Sequence, residues 1–256
     1  MHAQSAHSSQ AVPGIHPVVM KAASSSAAWV SSTSPGNRIV LLFDDFPIAH
    51  RRLKTGEHLF RAGDAFQFLY ILNAGFAKTC YLSEDGCEQT TGFHLRGDIL
   101  GLDAIGTGTY AGDAIALDVC DVMMIPFESI LLHGQRNPDL VRELYSAFSS
   151  EIRSDRELMM RIGSLPAEGR VAAFLLEMSS RFGARGFSST DLQLRLTRQE
   201  IGSLLGLKLE TVSRALSHFA KLGLIDVYLR DISLRDIEGL KALVAHPSGL
   251  EQHAAA

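Results

Sequence analysis

Residues 197–225, TRQEIGSLLGLKLETVSRALSHFAKLGLI, carry the sharpest chemical signal in the chain. Near the middle, Glu210, Thr211, Ser213 and Arg214 face away from the apolar positions Val212, Leu216 and Phe219 of one predicted helix. An arginine there can bond O6 and N7 of guanine together, a glutamate can accept from the cytosine amino group, and a serine can serve either role. Such a set suits the edges of base pairs. The competing reading is a solvated helix face on which Glu210 and Arg214 pair at i, i+4.

Two short helices joined by a tight turn are needed to present that face. Thr197-Arg198-Gln199-Glu200 has the form of a capping box, in which Thr197 accepts from the Glu200 backbone and the Glu200 side chain reaches back. The helix it starts gathers Ile201, Leu204 and Leu205 on one side, and Gly206 supplies a left-handed turn that is cheap only without Cβ. The second helix begins near Leu209 and stops at Gly223. Helix, glycine turn, helix is the helix-turn-helix plan, whose second helix enters the major groove of DNA. Thr197, Arg198 and Lys208, at the two helix starts, join Glu210, Thr211, Ser213 and Arg214 as candidate DNA contacts.

The charge balance agrees in outline. The 256 residues sum to −4, with residues 1–165 at −5 and residues 166–236 at +2. An acidic front and a mildly basic back predict two domains with different partners, an anion for the second. Hydrophobic residues at 46% and charged ones at 20% exclude wholesale disorder. Three cysteines do not build a disulfide framework. No apolar run nears the roughly 18 residues that cross a bilayer, and the N-terminus lacks a secretory pattern. A soluble cytoplasmic protein with no membrane partner is expected.

Residues 1–36, rich in Ser, Ala and His, read as a disordered tail, with Met20 a second candidate start. Between Arg51 and Phe127, short apolar runs such as Leu69–Leu72 and Val122–Ile125 alternate with glycine turns, the texture of an antiparallel barrel or jelly roll. Ser83-Glu84-Asp85-Gly86 is its clearest hairpin turn. Cys80 and Cys87 would lie diagonally on one face of that hairpin, too far apart for easy bridging. From Pro138 a long helix follows, on which Val141, Tyr145, Phe148, Ile152, Asp155, Met159 and Ile162 alternate in steps of four and three. Such a seam predicts pairing with a copy of itself, the alternative being a core helix of the same chain. Tyr145, Phe148, Ile152, Asp155, Met159 and Ile162 are the candidate dimer contacts. Asp155 stands where an apolar side chain would pack, so two copies would repel each other, the alternative being that each pairs with Arg156 or Arg161 of the partner helix. A helix over Pro166–Phe182 and a hairpin, Ile225–Leu229 with Ile232–Leu234, bracket the helix-turn-helix. The expected division is a tail 1–36, a jelly-roll sensor 37–135, a dimer helix 136–164, a winged helix-turn-helix 165–240 and a loose tail 241–256 that holds a helix remnant just beyond Leu240, an α+β protein.

With these elements in order, the chain resembles the CRP/FNR transcription regulators, and within them the FNR branch, from about Leu53 to Leu234. The likeness is carried by GEHLFRAGD (56–64), LYILNAG (69–75), TGFHLRGDILGLDAIG (91–106), IPFE (125–128), VAAFLLEMSSRFGARGFS (171–188) and LGLKLETVSRAL (205–216). It implies a cyclic-nucleotide-binding-like β jelly roll, a long dimerisation helix and a C-terminal winged helix-turn-helix. It further implies that Glu210, Ser213 and Arg214 read a TTGAT-type half-site, repeated as an inverted pair in double-stranded promoter DNA. The hairpin Leu82–Glu88 is implied as a contact for RNA polymerase, although Cys87 replaces an acid sometimes found there. Lys208 is a second departure. Members often carry Thr or Ser at that position as a helix cap, whereas lysine gives up the cap and offers a cation to a phosphate.

The same resemblance bears on cofactors. The cluster-binding members of the branch hold an oxygen-labile iron–sulfur cluster on four cysteines, three of them near the N-terminus. This chain has no cysteine before Cys80, and Met123 stands at the place of the fourth ligand, so no such cluster is expected. Cyclic AMP binders of the family hold the phosphate with an Arg-Ser or Arg-Thr pair. The matching Tyr110-Ala111-Gly112-Asp113 has no arginine and adds a carboxylate. No cofactor is therefore expected, with haem left open. His50, His58, His94, His133, Cys80, Cys87 and Cys120 are the available axial ligands, each also explicable as a surface or packing residue. A jelly-roll oxygenase would need His-x-His and Glu ligands that residues 50–130 do not supply. The expected function is a sequence-specific homodimeric regulator. The alternative is a haem- or small-effector-gated regulator of the same fold, answering nitric oxide, oxygen or redox state.

Overall fold

The apolar runs of the first half become eight strands: β1 (Ala49–Leu53), β2 (His58–Phe60), β3 (Phe68–Ala74), β4 (Ala77–Leu82), β5 (Glu88–His94), β6 (Ile99–Leu100), β7 (Asp113–Ala116) and β8 (Cys120–Pro126). The computed structural model describes residues 35–42, 48–83 and 86–245, so Met20, Glu84, Asp85 and most of both expected tails lie outside it. The strands form two antiparallel four-stranded sheets, ordered β1-β8-β3-β6 and β2-β7-β4-β5, a jelly-roll sandwich. In β3 and β8 the apolar residues run without a break because both faces are covered. Tyr70, Leu72, Val122 and Met124 point into the sandwich with Leu53, Phe60 and Tyr110. Leu69, Ile71, Met123 and Ile125 pack on the other side against Ile39, Ile130 and Leu140.

Those last three residues belong to helices. α1 (Pro35–Leu41) precedes the sandwich, and α2 (Phe127–Gly134) and α3 (Pro138–Ser164) follow it. Asn137 caps α3 by accepting from the Asp139 and Leu140 amides, and Pro138 fits the first turn, where no amide partner is missed. Leu140 and Ala147 anchor α3 on the jelly roll. Its other face leaves Tyr145, Ile152 and Met159 exposed at 66%, 50% and 63%. Phe148 packs partly into the core beside Leu144, and Ile162 is half-buried.

The second half comprises α4 (Ala167–Gly183), β9 (Asp191–Gln193), α5 (Arg198–Leu205), α6 (Leu209–Lys221), β10 (Ile225–Tyr228), β11 (Asp231–Leu234) and α7 (Ile237–Ala245). Strands β10, β11 and β9 form a three-stranded wing sheet. The core of this half includes Phe174, Leu175, Met178, Phe182, Val212, Leu216 and Phe219, and it also takes in Phe93 and Leu95 of the jelly roll. The two halves thus share one apolar cluster.

Three expectations need correction. Helix α1 spans the boundary placed between residues 36 and 37, with Ile39 buried; seven residues are too short to show a helical period. Helix α7 crosses the boundary placed at 240, because Leu240 is fully buried in the second core. In the β4–β5 hairpin Leu82 pairs with Glu88, so Cys87 falls inside the loop, and a bulge after Thr79 sets Cys80 opposite Thr90. Cys80 is buried, its thiol pushed up to about 11 by desolvation and by Glu88, while Cys87 is exposed. The two are therefore not diagonal neighbours on one face.

Candidate DNA-binding interface

Helix α5 begins with a complete capping box. Thr197 Oγ1 accepts from the Glu200 amide at 3.2 Å, and Glu200 Oε2 accepts from the Thr197 amide at 2.7 Å. The turn that follows rests on two glycines. Gly206 has φ +65, the left-handed region, and a Cβ at Gly202 would stand 2.6 Å from the Leu207 carbonyl oxygen. Sequence reasoning gave Gly206 its part and missed Gly202, whose role is visible only once the two helices are folded against each other. Lys208 is the N-cap of α6 and makes no side-chain cap hydrogen bond.

On α6, Val212, Ala215, Leu216 and Phe219 are buried. Lys208, Glu210, Arg214, Ser217 and Lys221 are exposed, and Thr211 and Ser213 half-buried. At the start of α5, Thr197 and Arg198 are half-buried. Glu210 and Arg214 do not form the i, i+4 ion pair that a merely solvated face would favour; neither has an ion-pair partner among the described residues.

The other cations of this half make the contrast sharp. Arg181 and Arg185 pair with Asp98, Arg195 with Asp118, Arg235 with Asp226 and Lys241 with Glu238. Arg170 donates to the Leu165 and Leu205 carbonyls and Arg230 to that of Arg195. Among the described residues from 167 to 245, that leaves Arg198, Lys208, Arg214 and Lys221 without a protein partner. All four lie on the helix-turn-helix. Cations without an internal partner are free to neutralise phosphates and meet base edges. Lys221 was not anticipated; its spacing of two helical turns from Arg214 is the signal that could have found it.

The jelly roll offers a different chemistry. Between β4, the turn at Gly101 and α3 lies a cavity of about 170 Å³, whose charged lining consists of Asp103, Glu151 and Asp155, with His94 beside them. Desolvation and then the neighbouring Asp155 push the Glu151 carboxyl up to about 7. His94 accepts or donates at 3.0 Å with Thr79 Oγ1, and burial pushes its pKa down to about 4. Asp113 turns elsewhere, toward His58 at 3.1 Å and the Ala62 amide at 2.8 Å. No lysine or arginine among the described residues lines this cavity, so a phosphate there would meet carboxylates rather than a cation; the nearest arginines, Arg181 and Arg185, line the adjoining space and are paired with Asp98.

Residues 50–132 match the cyclic nucleotide-binding domain, and residues 169–243 match the Crp-like helix-turn-helix domain. The chain is 39% identical over 194 residues to the fumarate and nitrate reduction regulatory protein of Salmonella typhi, covering 76% of this chain and 78% of that one. It is 41% identical over 193 residues to the transcriptional activator protein anr of Pseudomonas aeruginosa, covering 75% and 79%. Among solved structures, FixK2 from Bradyrhizobium japonicum superposes with a TM-score of 0.71 at 28% identity, over 77% of this chain and 98% of that one. No helix among the described residues is long and apolar enough to cross a membrane. With the partnerless cations of its described second half gathered on a helix-turn-helix behind a jelly roll, the chain belongs to the CRP/FNR family, in the FNR branch, and is a DNA-binding transcription regulator rather than an enzyme.

Proposed function

We propose that this protein acts in the cytoplasm as a homodimer on TTGAT-like inverted repeats, contacting RNA polymerase through the Leu82–Glu88 hairpin, and that it does so without an iron–sulfur cluster or a cyclic nucleotide. The observation that carries the reading is the exposed, internally unpaired set Lys208, Glu210 and Arg214 at the start of α6, over a fully packed inner face. Arg214 reads guanine in each half-site, with Glu210 and Ser213 on the neighbouring bases, while Thr197, Arg198 and Lys208 meet phosphates. The apolar stripe of Tyr145, Ile152 and Met159 supports a paired α3, with Phe148 and Ile162 at its margin and Asp155 within it.

On the sensor side, the three carboxylates of the cavity argue against a phosphate ligand. The haem-gated alternative gains nothing from the histidines. His50 pairs with Asp121, His58 with Asp113, His94 with Thr79, and His133 contacts the Ser129 carbonyl. Fluorescence anisotropy on a duplex carrying the inverted repeat and on a scrambled duplex tests the proposal. Two protomers per repeat and binding at least about 10³-fold tighter than to the scrambled duplex are expected at physiological salt. Equal affinities would contradict it.

A further inference from the structure

Lys78 lies on β4, in the jelly roll, yet it is 7% exposed and its ammonium is not used by that domain alone. Nζ donates to Glu88 Oε1 at 2.5 Å across the hairpin and to Glu200 Oε1 at 2.7 Å on α5. Glu200 is the capping-box residue. Its other oxygen holds the Thr197 amide and the Thr197 hydroxyl, at 2.7 and 2.8 Å. Burial pulls the Lys78 pKa down, but the hydrogen bonds and charges of Glu200 and Glu88 outweigh it and the net shift is upward, so the lysine stays charged in its site. Beside it the Thr90 amide donates to Ser203 Oγ at 2.7 Å, and the Gln89 side chain donates to the Ser203 carbonyl. Strand β5, an edge of its sheet, is thus hydrogen-bonded directly to the first helix of the helix-turn-helix.

A second charged anchor lies at the end of α4 and just beyond it. Asp98 accepts from Arg181 at 2.7 Å and also pairs with Arg185, whose Nε donates to the Arg96 carbonyl at 2.8 Å. Between the anchors the shared apolar cluster supplies attraction, which has no preferred direction, whereas hydrogen-bonded ion pairs have a fixed geometry. A domain held at one point can turn about it. Held at two, it can turn only about the line that joins them, and the shared apolar cluster resists that turn. In this docked arrangement the reading face of α6 stays exposed.

We propose that Lys78 is a positioning residue for DNA reading: by joining Glu88 of the hairpin to Glu200 of the capping box, it sets the rotation of the helix-turn-helix on the jelly roll. In a dimer, that rotation fixes the spacing at which two recognition helices meet two half-sites. The inference rests on the inverted-repeat reading proposed above.

Lys78→Met in the full-length chain tests it with two readouts. The first needs no DNA. Hydrogen exchange at the Thr90 amide and along Arg198–Leu205 should quicken about tenfold, while the α4–α7 contact stays protected. The second compares inverted repeats whose half-sites are moved apart by two base pairs, which turns one against the other by about 70°. Wild type should discriminate strongly between the spacings, and Lys78→Met should lose about tenfold of that discrimination. If Lys78→Met does not fold, the double variant Glu200→Gln with Ser203→Ala, which keeps an acceptor for the cap, replaces it. Unchanged exchange overturns the latch. Faster exchange with undiminished spacing discrimination overturns the positioning role, and so does a uniform loss of affinity at both spacings. A wild-type protein indifferent to spacing would overturn the inverted-repeat reading and the positioning role with it, while the exchange result would stand by itself.

Discussion

On α6 the charged side chains that reach solvent unpaired are Lys208, Arg214 and Lys221 around a single glutamate. In the cavity between β4, the Gly101 turn and α3 the acidic lining is Asp103, which accepts from the Tyr81 hydroxyl, Asp155, and Glu151, whose carboxyl is pushed up to about 7. One surface invites phosphate and the other repels it. The first belongs to a single helix, so its chemistry is a property of one short segment. The second is assembled from β4, β5, the Gly101 turn, Gly112 and α3, so a few substitutions in separate segments change what it can hold. The pair teaches that output and input of one fold are set independently, and that each needs its own perturbation.

The largest expected effect concerns the cavity wall. His94 stays neutral when folded down to about pH 4, whereas in the unfolded chain it takes up its proton near 6.5. Between those values the unfolded state binds the extra proton, so stability falls as pH falls, by about 3 kcal/mol in total. His94→Gln should lose that contribution, read by denaturant unfolding at several pH values in the window. Equal pH slopes in both proteins would mean that the histidine is not held neutral.

Asp155 links the cavity to the dimer stripe. Of the two candidates to neutralise it from a partner helix, Arg161 is already engaged by Glu177 and Glu157 of its own chain. Arg156 has no ion-pair partner among the described residues and is the one that would make the aspartate a partner. With the two Asp155 carboxylates on the order of 6–8 Å apart and an effective dielectric near 20, the repulsion is about 2–3 kcal/mol. Asp155→Ala should therefore dimerise roughly thirty- to a hundred-fold more tightly in sedimentation equilibrium. A weaker or unchanged dimer makes the aspartate a partner rather than a brake.

The smallest effect belongs to the uncapped start of α6. Lys208→Ala should weaken specific and scrambled DNA alike and flatten the log–log salt dependence by about one unit. A change confined to the specific site would give Lys208 a role in base reading instead.

The ease of reading these regions from sequence differed for physical reasons. The capping box, Gly206 and the inward Val212, Leu216 and Phe219 follow local rules spanning three to seven residues, and the helix-turn-helix was legible down to its cap. The long helix was legible too, since its period holds over many turns. The cavity was not, because Asp103, Glu151 and Asp155 are brought together by the topology of the sandwich. Lys78 was invisible for the same reason: its partner Glu200 is 122 residues away. The short α1 and the start of α7 escaped because a helix of two turns has too few positions to declare a period. The bulge after Thr79 shifted the hairpin register by a residue, and no composition rule marks it.

The most direct test of the account is the binding of Arg214→Ala to the TTGAT inverted repeat, to the repeat with its guanine replaced, and to scrambled DNA. Loss of the bidentate guanine contact should cost about 1–3 kcal/mol on the intact repeat, little on the other two, and relax the preference at the guanine. An equal loss on all three duplexes would make Arg214 a phosphate contact and contradict the claim that this face of α6 reads sequence.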